Sequence, residues 1–531
     1  MLSKNYKIAG FCSGGHDAAY CVLNNGIPEI HNELERFNRI KDAGGDSMQF
    51  MFETYKHDDI DYFTHCIGSK REDSNWYKKS FDKCKSLGKW EQPGHHQSHA
   101  ANAFYSSNFK NALIITIDGG GLDYSEIQNK MIRTCFTVWL GEDKKLKEVE
   151  IWDEKKLHLG GVWGECTSKI FGLSQVSPSQ QGTVMGMAAL GDANKYINDF
   201  SYIHEDNNGQ KLPNNYVKLS ELAKSSEQEM FNIAASLQKA TENALKSIID
   251  RLVEKHKPEN ICLSGGVSLN CVFTGKMLNW YPNVNIYCDP IPYDAGLALG
   301  SARYIWHHIL ENDRIYDTPQ NRSHYLGFHY HEDAIMEVID SKKNEIDVRE
   351  VNDDEVVDLL LENNNVISVY GEGSESGRRA LGNRSILADP RSPDMKDIIN
   401  EKVKHRQWFR PFAPSVLREY VTDWFETDVD SPYMSFAIKW KEKALNKVPA
   451  VVHFDGTARL QTVSSDDNKW YHSFITKFYE KTGVPLLLNT SFNDREPIVE
   501  TPEHAINCFM GTDIDYLYFR DVNLLINKKV K

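Results

Sequence analysis

Apolar positions along the chain follow two periods. Short β-type runs end at glycines: YKIAGFC runs into Gly14-Gly15, ALIITI into Asp118 and Gly119-Gly120-Gly121, and NICLS into Gly265-Gly266. After the first turn, HDAAYCVLNNGIPEI continues as a strand pair folded at Asn25-Gly26, a dipeptide that accepts the positive φ of a tight hairpin. The stretch from about residue 226 to 256 carries apolar residues at i, i+3 and i+4 (Phe231, Ile233, Ala234, Leu237) and predicts one long helix. NVNIYCDPIPYDAGLALGSARYIW reads as strand, loop and small-residue helix, whereas TSKIFGL and GTVMGMAALGD read as further glycine-punctuated turns. Strands alternating with helices define an α/β chain. The polar, weakly patterned stretch from Glu311 to Val348 predicts a junction, with domains over 1–342 and 349–531. Neither a low-complexity segment nor a short-period repeat is present.

Length and charge narrow the class. A chain of 531 residues exceeds one ordinary core. With 40% hydrophobic and 26% charged residues it has the composition of a globular protein. A net charge of -14 gives no general attraction to nucleic acid or anionic lipid. The ten cysteines form no CxxC pair, MLSKNYKIAGF reads without a signal peptide, and no apolar run spans a bilayer. A cytoplasmic protein with free thiols, away from membranes, is expected.

Two regions carry candidate chemistry. In GHHQSHAANAFYSS, His95 and His99 are four apart, so one helix places both imidazoles on one face, and His96 points off it. Together with Asp118 they suit a divalent transition metal, and the backbone of Gly119 and Gly120 can approach phosphate oxygens. The same residues also fit a histidine-decorated helix and a turn-capping aspartate. Asp294, before Ala295-Gly296, is a further carboxylate ligand or a helix N-cap. The second region, VISVYGEGSESGRRALGNRSILADPRSPDMKDIINEKVKHRQWFRPFAPSVL, places Arg378, Arg379, Arg384, Arg391, Lys404, Arg406 and Arg410 among loop residues. That setting suits planar forks on phosphate or carboxylate, or an arginine network tying loops together. Arg459, Asn489, Ser491 and Asn493 follow at predicted strand ends.

The three strand–glycine turns resemble the nucleotide loops of the actin-like (ASKHA) ATPase fold, in which two related lobes clamp a nucleotide. The ordered motifs HHQSHAANAFYSS, GTVMGMAALGD, CLSGGVSLN, RALGNRSILADPR, FRPFAPSV, GTARLQTV and NTSFN resemble the O-carbamoyltransferases acting on nodulation factors, cephalosporins and aminoglycosides. The resemblance covers nearly the whole chain. It implies a two-lobed actin-like domain followed by a YrdC-like α/β domain. It implies that the YrdC-like domain makes carbamoyl-adenylate from carbamoyl phosphate and ATP, and that the first domain transfers the carbamoyl group to a hydroxyl. By motif, His95, His99, Asp118 and Asp294 would hold a divalent metal, Fe or Mn before Zn or Mg. Gly265, Gly266, Val267 and Asn270, with Gly119 and Gly120, would contact the adenylate. Arg379, Arg384, Lys404 and Arg410, backed by Arg459 and Ser491, would hold the donor phosphates, and His16 and Asp17 would serve the acceptor. The family usually reads Glu-Phe-Gly-Pro-Arg where this chain has Glu375-Ser376-Gly377-Arg378-Arg379. The acceptor is a small natural-product alcohol or a hydroxymethyl pyrimidine, such as 5-hydroxymethylcytosine, free or in DNA or RNA. A homodimer is left open. Threonylcarbamoyl-type tRNA modification and a non-catalytic nucleotide-binding sensor are the alternatives.

Overall fold

A computed structural model describes residues 6–66, 77–175, 178–316 and 324–529. The chain divides into two compact units, 1–323 and 324–531. This division falls earlier than the junction expected at 342–349. Its physical reason is that the helix Glu332–Lys342 packs against Pro502–Gly511 of the second unit. Part of the polar stretch expected to hold the junction lies outside the described residues.

The first unit contains two five-stranded sheets. One is built from β1 (Lys7–Cys12), β2 (Ala19–Asn24), β3 (Ile27–Glu33), β4 (Tyr62–His65) and β5 (Lys89–Glu91), in the order β3-β2-β1-β4-β5. The other is built from β6 (Asn111–Ser125), β7 (Lys130–Glu142), β8 (Lys145–Asp153), β9 (Asn260–Ser264) and β10 (Asn285–Cys288), in the order β10-β9-β6-β7-β8. The two share one plan. The first strand is central, runs antiparallel to the second and parallel to the fourth, and the fifth is parallel to the fourth. Residue periodicity did not reveal this duplication, because it resides in strand pairing.

The hairpin at Asn25-Gly26 forms, with φ of 51° and 82° at its two turn residues. The predicted long helix spans Glu227–His256, with the Ser226 side chain accepting from the Glu229 N–H. Two expectations are corrected. GTVMGMAALGD is not a turn. It forms the helix Gln181–Met187 and a short 3-10 turn, Ala188–Leu190, packed on the long helix. Likewise, ALIITI does not stop at Asp118. The strand continues to Ser125 through a bulge: Ile117 pairs with Phe136 and Gly121 with Thr134, so Asp118, Gly119 and Gly120 stand opposite Cys135 alone. A bulge re-aims side chains without ending the ladder.

The second unit is a nine-stranded mixed sheet. Its strands are β11 (Ile346–Glu350), β12 (Ile367–Tyr370), β13 (Arg384–Ala388), β14 (Ala413–Leu417), β15 (Phe436–Lys439), β16 (Thr457–Val463), β17 (Leu486–Ser491), β18 (Tyr516–Phe519) and β19 (Leu524–Lys528). They are ordered β11-β19-β18-β12-β13-β17-β14-β16-β15. Register gathers distant residues at one end. Ser385 pairs with Ser491, Ala413 with Asn489, and Ser415 with Gln461. The starts of β13, β14 and β16 and the end of β17 therefore lie together.

Candidate metal centre and cationic cluster

The helix His95–Ser106 follows Gly94, and its first turn is held by Asp123, whose carboxylate accepts from the Gln97 N–H at 3.1 Å. One helical turn then sets His95 beside His99, their rings edge to face with centroids 4.9 Å apart. The β6 bulge brings Asp118 in from one side and the loop before Gly296–Arg303 brings Asp294 from the other. His95 Nε2 lies 3.1 Å from Asp118 Oδ2 and 3.7 Å from Asp294 Oδ1. His99 Nε2 lies 3.9 Å and 3.6 Å from the same two oxygens. One ligand atom from each residue falls within 4.8 Å of all the others. His99 is fully buried, and its Nε2 meets no hydrogen-bond partner. A buried imidazole nitrogen left unsatisfied between two carboxylates fits a cation better than a hydrogen bond. Two imidazoles and two carboxylates suit a divalent transition ion.

The charges agree with this. Burial pulls the His95 pKa down, but Asp294 and Asp118 overcome it and push the group up to about 10. Burial works to raise Asp118, yet the hydrogen bond from His95 and the charge of His99 hold it well below the carboxylate range. Two anions buried together demand positive charge, which a proton or a metal supplies. His96 faces elsewhere, between the Thr116 hydroxyl at 2.5 Å and the Thr134 carbonyl at 3.1 Å, and burial keeps it neutral.

Asp118 Oδ1 also accepts the Gly266 N–H at 2.8 Å. That ties the β6 bulge to the turn after β9, where Gly265 adopts φ 86° and approaches Ile117 too closely for a Cβ. Gly265 and Gly266 thus lie beside the cluster, with half-buried Val267 next to them. Asn270 does not point there. Its side chain caps the helix Cys271–Trp280 and exchanges hydrogen bonds with Gln238, so the expectation of a nucleotide contact is corrected. Above the cluster, His16 Nδ1 sits 2.9 Å from Asp17 Oδ2 and 4.0 Å from Asp294 Oδ2. Asp17 takes φ 52°, a strained conformation that aims it at its neighbour. His158 went unnoticed in the sequence. Its buried Nε2 donates to the Gly119 carbonyl at 2.6 Å and pins the bulge, and no local spacing announced it.

Gly121 backs directly onto His95: a Cβ there would lie 2.0 Å from His95 Cγ. Gly121→Ala should therefore displace the ring and weaken metal binding at least tenfold, as when a ligand's support is lost. Metal content after dialysis, with circular dichroism as the control for folding, checks this.

In the second unit the arginines divide into two kinds. Arg384 is fully buried, donates to the carbonyls of Gly371, Glu372, Asn383 and Glu500, and stacks 3.6 Å over Tyr370. It braces the loop and has no reach to a ligand, which corrects its expected place among the phosphate contacts. Arg391 pairs with Asp389 in two parallel bonds. Arg406 donates to Asn400 Oδ1 at 3.0 Å and to the Pro411 carbonyl at 3.4 Å, and both it and Arg410 keep like-charged company. Burial and the charges of Arg410 and Arg459 push Arg406 well down, and burial and the charge of Arg379 lower Arg410. Convergent, partly buried arginines that repel one another are what a polyanion site requires. Lys404 reaches Ser491 O, Asn493 O and Asn493 Oδ1 at 2.5–2.8 Å, so an anion there would share its protons. Glu375, not singled out in the sequence, accepts from the backbone N–H groups of Leu381, Asn383 and Arg384 at 2.7, 2.8 and 3.1 Å. Its signal was slight: a carboxylate inside a glycine-rich loop.

Fold and sites define an α/β enzyme of two units, one with a transition-metal donor set and one with a cationic cluster. Residues 54–303 match the family model described as carbamoyltransferase N-terminus, and residues 358–528 the one described as carbamoyltransferase C-terminus. The chain is 33% identical to uncharacterized protein sll1178 of Synechocystis over 80% of this chain and 74% of that protein. It is 35% identical to nodulation protein NolNO of Sinorhizobium fredii (80% and 62%) and 33% identical to nodulation protein NolO of Bradyrhizobium diazoefficiens (80% and 77%). The chain belongs to the carbamoyltransferase family and is a transferase, in line with the resemblance carried by its motifs. A non-catalytic sensor is thereby set aside. Among the described residues no helix is long and apolar enough to cross a membrane.

Proposed function

We propose that the protein is an ATP-dependent O-carbamoyltransferase working in two steps, one in each unit. The second unit, read as a YrdC-like domain, takes carbamoyl phosphate and ATP and yields carbamoyl-adenylate, with pyrophosphate and inorganic phosphate leaving and one water consumed. The first unit, whose duplicated sheets support the actin-like reading, passes the carbamoyl group to an acceptor hydroxyl and releases AMP. One observation supports this: two chemically unlike clusters of side chains, each drawn from one unit.

Arg379, Arg406, Arg410 and Arg459 hold the donor phosphates and neutralise charge as pyrophosphate departs. Lys404 and Ser491 sit at the β17 end of the same site. In the first unit a divalent ion held by His95, His99, Asp118 and Asp294 would act as a Lewis acid toward the carbamoyl oxygen and phosphate. The backbone of Gly119, Gly120, Gly265 and Gly266 lines that position. His16, oriented by Asp17, takes the acceptor's proton. The acceptor is a small alcohol, since a net charge of -14 does not favour a polyanion. Incubation of the protein with ATP, carbamoyl phosphate and Fe, Mn or Zn, with pyrophosphate measured and mass spectrometry of a panel of alcohols and hydroxymethylated nucleic acids, tests the reading. No pyrophosphate release with any metal would overturn it.

The pH dependence follows from His16. The Asp17 hydrogen bond, against burial and with help from Asp294, lifts it to about 9. A base works only when neutral, so the transfer rate should climb with pH from 6, pass its inflection no later than about pH 9 and level off above it. A cation on the cluster offsets Asp294 and moves the plateau lower. Asp17→Asn removes the largest cause and should shift the inflection down toward 6.5, measured by single-turnover transfer across pH.

A further inference from the structure

Two of the largest exposed apolar side chains in the second unit stand together. Trp408 is 47% and Phe454 50% exposed, and their rings meet edge to face at 5.4 Å and 83°. They come from two loops that also carry the cationic cluster. Trp408 lies between Arg406 and Arg410, and the turn holding Phe454 leads into β16, where Arg459 sits. Lys396 places its ammonium 4.1 Å over the Phe454 ring, and Arg406 stacks 4.6 Å over Phe412. Each aromatic residue thus has an arginine only a few positions away in the chain. Adjoining exposed aromatic rings offer a partner more apolar surface than a single exposed side chain does. Here the rings form a right-angled corner beside a concentration of positive charge.

We propose that Trp408 and Phe454 form the purine-stacking corner for the nucleotide whose phosphates lie on Arg406, Arg410 and Arg459. This rests on the donor-site reading above. The charge beside the corner fits a polyanion, and the corner fits a flat ring, with its face on one side chain and its edge on the other. A nucleoside triphosphate combines both, whereas carbamoyl phosphate has no ring to stack. Stacking on an aromatic side chain depends little on hydrogen bonding, so it holds the base and leaves the phosphates to be placed by the arginines.

The test uses the full chain and binding without turnover. Calorimetric titrations of Mg-ATP and of inorganic tripolyphosphate are compared in the wild type, Trp408→Ala, Trp408→Phe and Phe454→Ala. Trp408→Ala should weaken ATP binding about five- to hundredfold, in keeping with the loss of one stacked base, and Phe454→Ala should weaken it less. Trp408→Phe should stay near wild type, and tripolyphosphate should bind all four proteins equally. Unchanged ATP affinity in Trp408→Ala overturns the corner while leaving the donor site standing. Equal losses for ATP and tripolyphosphate overturn it as a local folding effect. A wild type that binds neither ligand overturns the donor-site reading itself.

Discussion

Asp118→Ala should abolish carbamoyl transfer, by at least a thousandfold, while pyrophosphate release from ATP and carbamoyl phosphate continues within a few-fold of wild type. The asymmetry follows from where Asp118 sits. It stands 3.1 Å from His95, accepts from Gly266, and shares the first unit with every other member of the cluster. Removing it takes away one of the four residues proposed to hold the metal and half of the carboxylate charge of that cluster. It also frees the turn after β9 from the β6 bulge. None of these changes touches the arginines of the second unit. Both half-reactions measured on the one variant decide the matter. Loss of both together would mean a single shared site, and the division of labour would be wrong.

Glu375→Ala should unfold the donor loop. The carboxylate is buried and accepts three backbone N–H groups, so truncation leaves three buried donors unsatisfied. At about 1–3 kcal/mol for each such group, and with partial relaxation, the loss is on the order of 3–5 kcal/mol. The melting temperature of the second unit should fall by about ten degrees. Pyrophosphate release should drop at least a hundredfold, because Arg379 lies inside the tethered segment. Glu375→Gln keeps an oxygen in place and should recover most of the stability. A Glu375→Ala protein with wild-type melting would show that the three bonds are dispensable. The same contacts give physical sense to the altered loop. Ser376 and Arg378 stand where the family has an aromatic and a proline, yet the segment from Leu381 to Arg384 is still held by the glutamate before them.

The amino-acid sequence by itself determined what depends on near neighbours. Four-residue spacing put His95 and His99 on one helix face, Asn25-Gly26 set a hairpin, and a three-and-four pattern drew the Glu227–His256 helix. Ordered motifs were enough to identify the family, because the chemistry of each motif is written in residue types. Tertiary structure alone decided what depends on distant pairing. Asp294 reaches His95 from almost 200 positions away because strand order brings the loop after β10 beside β6. The bulge at Asp118 was invisible because it exists only as a mismatch of register with β7. Arg384 and Arg410 read alike in the chain. They separate only when burial gives one a cage of carbonyls and leaves the other among like charges. The family resemblance implied two related lobes, but the plan the two sheets share shows only in strand pairing, which residue identity need not record.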